Sequence, residues 1–87
     1  MEGEELRVLE RLIVAPAVGV FEPVDAGAVD AVNEGDDVNE GDAVGHVVVS
    51  GERIPVRSRF TGALIGMLAV DGERVREGQP IAWLRTA

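Results

Sequence analysis

The sequence contains an imperfect internal repeat in which glycines and valines recur in phase. Residues 33–47 and 70–84 align at an offset of 37, whereas Gly19 aligns with Gly62 at an offset of 43. The first half therefore has six additional residues, and these fall within residues 22–31. A chain built from two similar halves is expected to fold into two similar units packed together. The pairs aligned at the offset of 37 are Gly35/Gly72, Gly41/Gly78, Val38/Val75, Glu40/Glu77, Val44/Ile81 and Val47/Leu84.

Each half consists of short apolar runs separated by glycine turns, and valine is abundant in these runs. Valine is stiff at χ1 and suits a pleated sheet, and several short strands with regular turns are typical of a β-sandwich or barrel. Ser50 and Gly51 join two of the runs and predict a two-residue hairpin with a type I′ turn. The predicted strands are Leu12–Ala15, Val18–Phe21, Val44–Val49, Ile54–Ser58 and Ile81–Leu84.

The first eleven residues differ from the rest of the chain. Leu6, Leu9 and Leu12 recur at every third position and follow three glutamates, which favours a helix N-terminus. Residues 1–11 are therefore predicted to be an N-terminal extension, either a short amphipathic helix or a frayed segment. Residues 12–87 form the predicted domain.

The charge balance and the residue types that are missing exclude several function classes. Sixteen acidic and eight basic residues give a net charge of −8, which argues against nucleic acid and anionic membranes as partners. The chain has no cysteine, no apolar run long enough to span a membrane and no signal-peptide pattern, so a soluble cytoplasmic protein is expected. All eight basic residues are arginine, and lysine is absent. Codon bias or a salt-loving source would each account for the missing lysine.

The two halves, their Gly-Asp turns and the central hairpin resemble the biotinyl/lipoyl carrier domain over about residues 12–85. The stretch 16–22 is similar to the P-M-V-G-T-F-Y opening of the biotin carboxyl carrier protein of acetyl-CoA carboxylase. The six-residue excess lies where that branch has a protruding thumb loop, and Val38–Asp42 matches its V-N-x-G-D motif. The resemblance implies an all-β fold, a flattened barrel-sandwich of two four-stranded antiparallel sheets related by a pseudo-twofold axis.

The position of the family's modified lysine is occupied by glycine. The resemblance implies an E-A-M-K-M hairpin tip, and counting from Gly41 and from Gly62 places its lysine at Gly51. The tip here reads Val48-Val49-Ser50-Gly51-Glu52, without an amine that could bind biotin or lipoate. We therefore expect no covalently attached cofactor. The family is understood to hold its lysine in a backbone conformation that favours glycine, so Gly51 would relax strain of about 1–3 kcal/mol.

Histidine and the aspartates do not form a recognisable catalytic or metal-binding motif. His46 is the only histidine and aligns with Trp83 in the repeat, which favours a structural role. Asp36, Asp37 and Asp42 lack the spacing of a calcium-binding loop and are expected to form solvated turns. No catalytic residue and no metal ligand is predicted.

A surface beside the hairpin is the remaining candidate for function. Arg53, Arg57 and Arg59 are in phase on one predicted strand and form either a solvated face or a contact for an acidic partner. Pro55 between them indicates an edge strand or a bulge. The run Val47–Val49 is buried on both faces or leaves an apolar patch for a partner. The predicted partner-contact residues are Val48, Val49, Ser50, Gly51, Glu52, Arg53, Arg57 and Arg59.

These observations predict a non-catalytic, non-biotinylated carrier-like subunit that scaffolds or regulates an acyl-CoA carboxylase complex. Its expected partners are biotin carboxylase, carboxyltransferase or a genuine biotin carrier subunit. It is similar in kind to lysine-free carrier relatives of plant chloroplasts that act as negative regulators of acetyl-CoA carboxylase. One alternative is a self-associating structural module, a homo-oligomer formed through Val48, Val49 and the N-terminal leucines. A weaker alternative is a small-ligand binder that uses the hairpin face.

Overall fold

A computed structural model describes residues 9–24 and 32–86, and these residues form eight β-strands without a helix. Within these two ranges the chain therefore has no helix capable of crossing a membrane. The strands are β1 Leu9–Val14, β2 Gly19–Pro23, β3 Asp37–Val38, β4 Ala43–Val49, β5 Glu52–Arg57, β6 Gly62–Met67, β7 Arg74–Val75 and β8 Pro80–Thr86.

The strands form two four-stranded sheets in which every neighbouring pair is antiparallel. Sheet A has the order β1-β8-β6-β3, and sheet B has the order β5-β4-β2-β7. The edge strands β3 and β7 contain only two residues each. This arrangement confirms the predicted all-β sandwich of two four-stranded sheets.

The internal repeat of the sequence is also a repeat of the strands. β1 and β2 correspond to β5 and β6 at an offset of 43, and β3 and β4 correspond to β7 and β8 at an offset of 37. Under this correspondence the strand order of sheet A becomes that of sheet B, so the two sheets are pseudo-symmetric. The change of offset arises because residues 24–36 connect β2 to β3, whereas residues 68–73 connect β6 to β7. The predicted thumb loop lies largely in residues 25–31, outside the described residues.

The core lies between the two sheets and consists almost entirely of aliphatic side chains from both halves. Phe21 is the one aromatic residue among its fully buried members. Ser58 is the only buried polar residue in the described part of the chain, and its hydroxyl donates a hydrogen bond to the carbonyl of Phe60. The buried hydrophobic residues are Ile13, Ala15, Phe21, Val38, Val44, Val47, Val56, Leu64, Ala69, Val75, Ile81, Ala82 and Leu84.

The first strand begins earlier than the sequence predicts. β1 starts at Leu9 and pairs with β8 from Leu9 opposite Thr86 to Val14 opposite Pro80. A helix over residues 1–11 is therefore wrong for Leu9–Arg11, because sheet pairing overrides the three-residue leucine spacing there. Residues 1–8 lie outside the described residues.

Candidate functional site

The hairpin between β4 and β5 ends in two exposed residues with left-handed backbone conformation. Ser50 has φ of 51° and Gly51 has φ of 84°. Two successive positive φ angles are required by a type I′ turn, so the predicted turn is confirmed. A Cβ atom added to Gly51 would meet no atom within 4 Å. The tip therefore has space for a side chain at position 51 but favours glycine through its backbone.

The outer face of sheet B carries a row of four side chains next to the hairpin tip. Val20 lies opposite Arg74 on one side and opposite Val48 on the other, and Val48 lies opposite Arg53. The residues adjacent to Val20, Val48 and Arg74 along their strands, Phe21, Val47 and Val75, are fully buried, so the row faces outward. We call Arg74, Val20, Val48 and Arg53 the basic row. It presents two cations separated by two valines.

An ion pair fixes one end of the basic row. The Arg53 guanidinium donates a hydrogen bond of 3.0 Å from Nε to Oε1 of Glu22, and its Nη2 lies 2.8 Å from the same oxygen. Because β4 lies between β2 and β5, this pair bridges over the outer face of β4. The Arg53 side chain is 68% exposed and that of Glu22 is 36% exposed. The pair thus orients Arg53 but contributes at most about 1 kcal/mol to stability.

Only one of the two valines proposed for partner contact lies on the outer face. Val49 is half-buried and packs against the core, as Val47 does. Val48 is half-buried on the opposite face, where it lies beside Val20, which is 40% exposed. The apolar run Val47–Val49 is therefore divided between the core and a small surface patch.

The three arginines proposed for partner contact occupy two separate places. Arg53 lies near the hairpin tip, whereas Arg57 is the last residue of β5, about 13 Å further along the strand. Arg57 donates a hydrogen bond of 2.9 Å from Nη1 to the carbonyl of Gly41. Arg59 follows the buried Ser58, outside β5. The prediction of one continuous arginine stripe on a single strand is thus wrong, because the strand ends at Arg57.

Arg57 and Arg59 line an open groove of about 740 Å³ between the edge strands β1 and β5. The groove is lined by equivalent residues of the two halves. Leu12 is equivalent to Pro55, and Glu40 is equivalent to Glu77. Two arginines and two glutamates balance its charge. The groove lies at the end of β5 remote from the hairpin tip, so a ligand there would not occupy the hairpin face.

His46 lies on the outer face of β4 in the row that follows the basic row. Its cross-strand neighbours are Glu22 on β2 and Pro55 on β5. Within residues 9–24 and 32–86, no three His, Asp or Glu side chains come together in a way that could hold a metal ion.

The aspartates that follow the glycine turns have a structural role in this fold. One carboxylate oxygen of Asp36 accepts a hydrogen bond from the backbone N–H of Asn33. Asp42 accepts an equivalent bond from Asn39, and each bond is 2.9 Å long. Glu73 accepts from the backbone of Val70 at the corresponding place in the second half. These acids close turns, as expected from their spacing.

Sequence reasoning missed three residues of this surface: Val20, Glu22 and Arg74. The alternation of Val20 with the apolar Phe21 indicates that one of them faces outward. Arg74 is distant in sequence from the hairpin, and only the order β5-β4-β2-β7 places it in line with Val48 and Arg53. Sheet order was therefore the missing information.

Comparisons with known proteins agree with this architecture. The domain structurally resembles part of the Kluyveromyces lactis urea carboxylase, with a TM-score of 0.73, 24% identity and 97% of this chain covered. It also resembles part of a single-chain, multi-domain long-chain acyl-CoA carboxylase, with a TM-score of 0.70, 17% identity and 90% of this chain covered. The match spans 7% of each of those much longer chains.

No curated protein sequence shows a significant match to this chain. The family model described as "Biotin-requiring enzyme", the biotin/lipoyl domain, matches residues 11–84. That range contains six of the eight strands, β2 to β7, in full and most of β1 and β8. The chain therefore belongs to the biotin/lipoyl carrier domain family, with a Ser-Gly turn at the tip of its central hairpin.

Proposed function

We propose that the chain is a non-biotinylated, non-catalytic carrier-like subunit that scaffolds or regulates an acyl-CoA carboxylase complex through protein contacts. The observation that carries this proposal is the combination of a lysine-free hairpin tip with the adjacent basic row. The tip exposes Ser50 and Gly51, and the row beside it consists of the exposed Arg74, Val20 and Arg53 and the half-buried Val48.

Covalent attachment of biotin or lipoate requires an amine that can form an amide bond. The 87 residues contain no lysine, and glycine occupies the turn position that the resemblance assigns to the acceptor. The hairpin itself is retained with tight type I′ geometry. A carrier scaffold that keeps its hairpin without an acceptor amine is suited to docking rather than to transport of a carboxyl group.

The basic row indicates the chemistry of the partner surface. Arg53 is paired with Glu22, so the two arginines leave an excess of one positive charge at this surface of a chain with a net charge of −8. Complementary charges accelerate encounter and fix orientation, while the valines between them supply apolar contact area. The fitting partner has an acidic rim around a small apolar patch. We assign this role first to biotin carboxylase, with carboxyltransferase and a biotinylated carrier subunit as the other candidates.

The test is a binding measurement on immobilised biotin carboxylase from the same source, repeated with the other two candidates. The wild-type chain is expected to bind at micromolar concentration, and Arg53→Glu is expected to weaken binding about tenfold by reversing a contacting charge. Arg85→Glu is the matched control, because Arg85 is an exposed arginine on the outer face of sheet A. It should bind like the wild type.

Absence of binding to all three candidates at micromolar concentration would overturn the proposal. Equal loss of binding in Arg53→Glu and Arg85→Glu would show that the basic row is not the contact surface. Because the Arg53–Glu22 pair is exposed, Arg53→Glu should lower the free energy of unfolding by only about 1 kcal/mol. A denaturation curve of each variant separates loss of binding from loss of folding.

A further inference from the structure

The two pseudo-symmetric sheets carry opposite charges at equivalent positions of their outer faces. In sheet A, Ala63 lies opposite Asp37 and Arg85, and Arg85 lies opposite Glu10. The row Asp37, Ala63, Arg85 and Glu10 is therefore the structural equivalent of the basic row, and we call it the acidic row. Both arginines at the ends of the basic row are replaced by acids in the acidic row.

The acidic row also faces outward. Asp37, Arg85 and Glu10 are exposed, whereas the neighbouring Val38 and Leu84 are fully buried. The next outward row of sheet A is apolar, with Trp83 between Leu12 and Gly66. Leu12 is 47% exposed. The outer face of sheet A thus combines acidic ends with an apolar surface, which is the chemistry that the basic row fits.

We propose that the outer face of sheet A in one copy of this chain stacks on the outer face of sheet B in a second copy. The pseudo-symmetry gives the two rows the same strand order and therefore the same spacing between their terminal charges. Both ends of each row have the same sign, so the charges match in either direction of approach. Arg85 lies within the acidic row directly beside Glu10, and its stem can cover the valines of the opposing row.

This contact joins two different faces, so it does not close into a twofold dimer. The pair leaves one face of each kind unused, so further copies can add and association proceeds into short open chains. Each sheet contains about 20 strand residues, and at about 3.3 Å rise and about 4.8 Å strand spacing they give a contact of roughly 300 Å² per face. That area is typical of a weak, reversible interaction, so association is expected only at high concentration. Self-association of this kind requires no carboxylase subunit.

The test uses two full-length variants that change one face each, Arg74→Glu and Asp37→Arg. These residues are equivalent in the repeat, and both are exposed on two-residue edge strands. Each row has two end residues. Arg74→Glu leaves three acids and one arginine among the four row ends of a chain, and Asp37→Arg leaves three arginines and one acid. The weight-average mass of each chain is measured by sedimentation at concentrations up to about 1 mM, because weak contacts form only at such concentrations.

The wild-type mass is expected to rise with concentration, each single variant to remain near the monomer mass, and an equimolar mixture of the two variants to associate again. Persistent association of either variant alone would overturn the proposal, as would a mixture that remains monomeric. A wild-type chain that stays monomeric at about 1 mM would also overturn it.

Unchanged thermal denaturation of both variants is the control for folding. Binding of wild type to biotin carboxylase is measured separately at micromolar concentration, so the two proposals fail independently.

Discussion

At the scale of the residue, Gly51 determines what the hairpin tip can do. Its φ of 84° lies in the region that glycine adopts freely and other residues adopt at a cost. The absence of any atom within 4 Å of a built Cβ shows that this cost is conformational rather than steric. A side chain at this position would project into solvent from a strained backbone. The position to which the resemblance assigns the family's lysine thus holds the residue that the turn prefers.

Replacing Gly51 by lysine tests this interpretation. Gly51→Lys is expected to lower the free energy of unfolding by about 1–3 kcal/mol, because lysine must adopt the left-handed conformation. Glu52→Lys is the matched control, since it adds the same side chain at the first residue of β5, where φ is not positive. Urea denaturation measures the free energy of unfolding of both variants. If Gly51→Lys is as stable as the wild type, the strain argument fails.

At the scale of the elements, the two halves fill equivalent core space in different ways. A Cβ atom added to Gly45 on β4 would lie 2.6 Å from the ring of Phe21 on β2. The equivalent positions in the second half are occupied by Ala82 and Leu64, both buried. The first half therefore combines a large residue with glycine, and the second half combines a smaller residue with alanine. Local close packing accounts for this exchange of volume.

Because Gly45 and Phe21 share one volume in the core, the effects of substitutions at these two positions on stability should not be additive. Gly45→Ala should cost about 1–3 kcal/mol of stability through overpacking against Phe21. In the double variant with Phe21→Leu, the total loss should be smaller than the sum of the single losses by about 1 kcal/mol. Gly66→Ala is the control, because a Cβ atom there would meet only Glu34 Oε2 at 3.9 Å. Equal and small effects of Gly45→Ala and Gly66→Ala would contradict the packing argument.

Most elements were predictable because their determinants are local. The apolar runs of the repeat predict β2, β4, β5, β8 and part of β1, and the Ser50-Gly51 pair predicts the hairpin turn. The strands β3, β6 and β7 were not predicted, and β3 and β7 contain only two residues each. The start of β1 was missed because its pairing with β8 joins residues distant in sequence. For the same reason only two of the four residues of the basic row could be predicted from the sequence. Arg53 and Val48 are close in the hairpin, whereas Val20 and Arg74 join them through sheet order.

At the scale of the whole molecule, the backbone is pseudo-symmetric but the surface is not. The two sheets share strand order, bulge positions near Val44 and Ile81, and a common aliphatic core. Their outer faces differ in the sign of the terminal charges and in the central pair, His46 in sheet B and Trp83 in sheet A. Core packing constrains the shared features, whereas exposed positions are free to diverge. The surface is therefore where this chain acquires a specific function.

The central claim is that this carrier fold acts without a covalently attached group. The most direct measurement is the intact mass of the chain purified from its own cells, accompanied by a streptavidin blot. The account predicts the mass of an unmodified hairpin region and no streptavidin signal, since the chain contains no lysine to form the amide bond. A mass increase equal to one biotinyl or lipoyl group, or a positive blot, would contradict it.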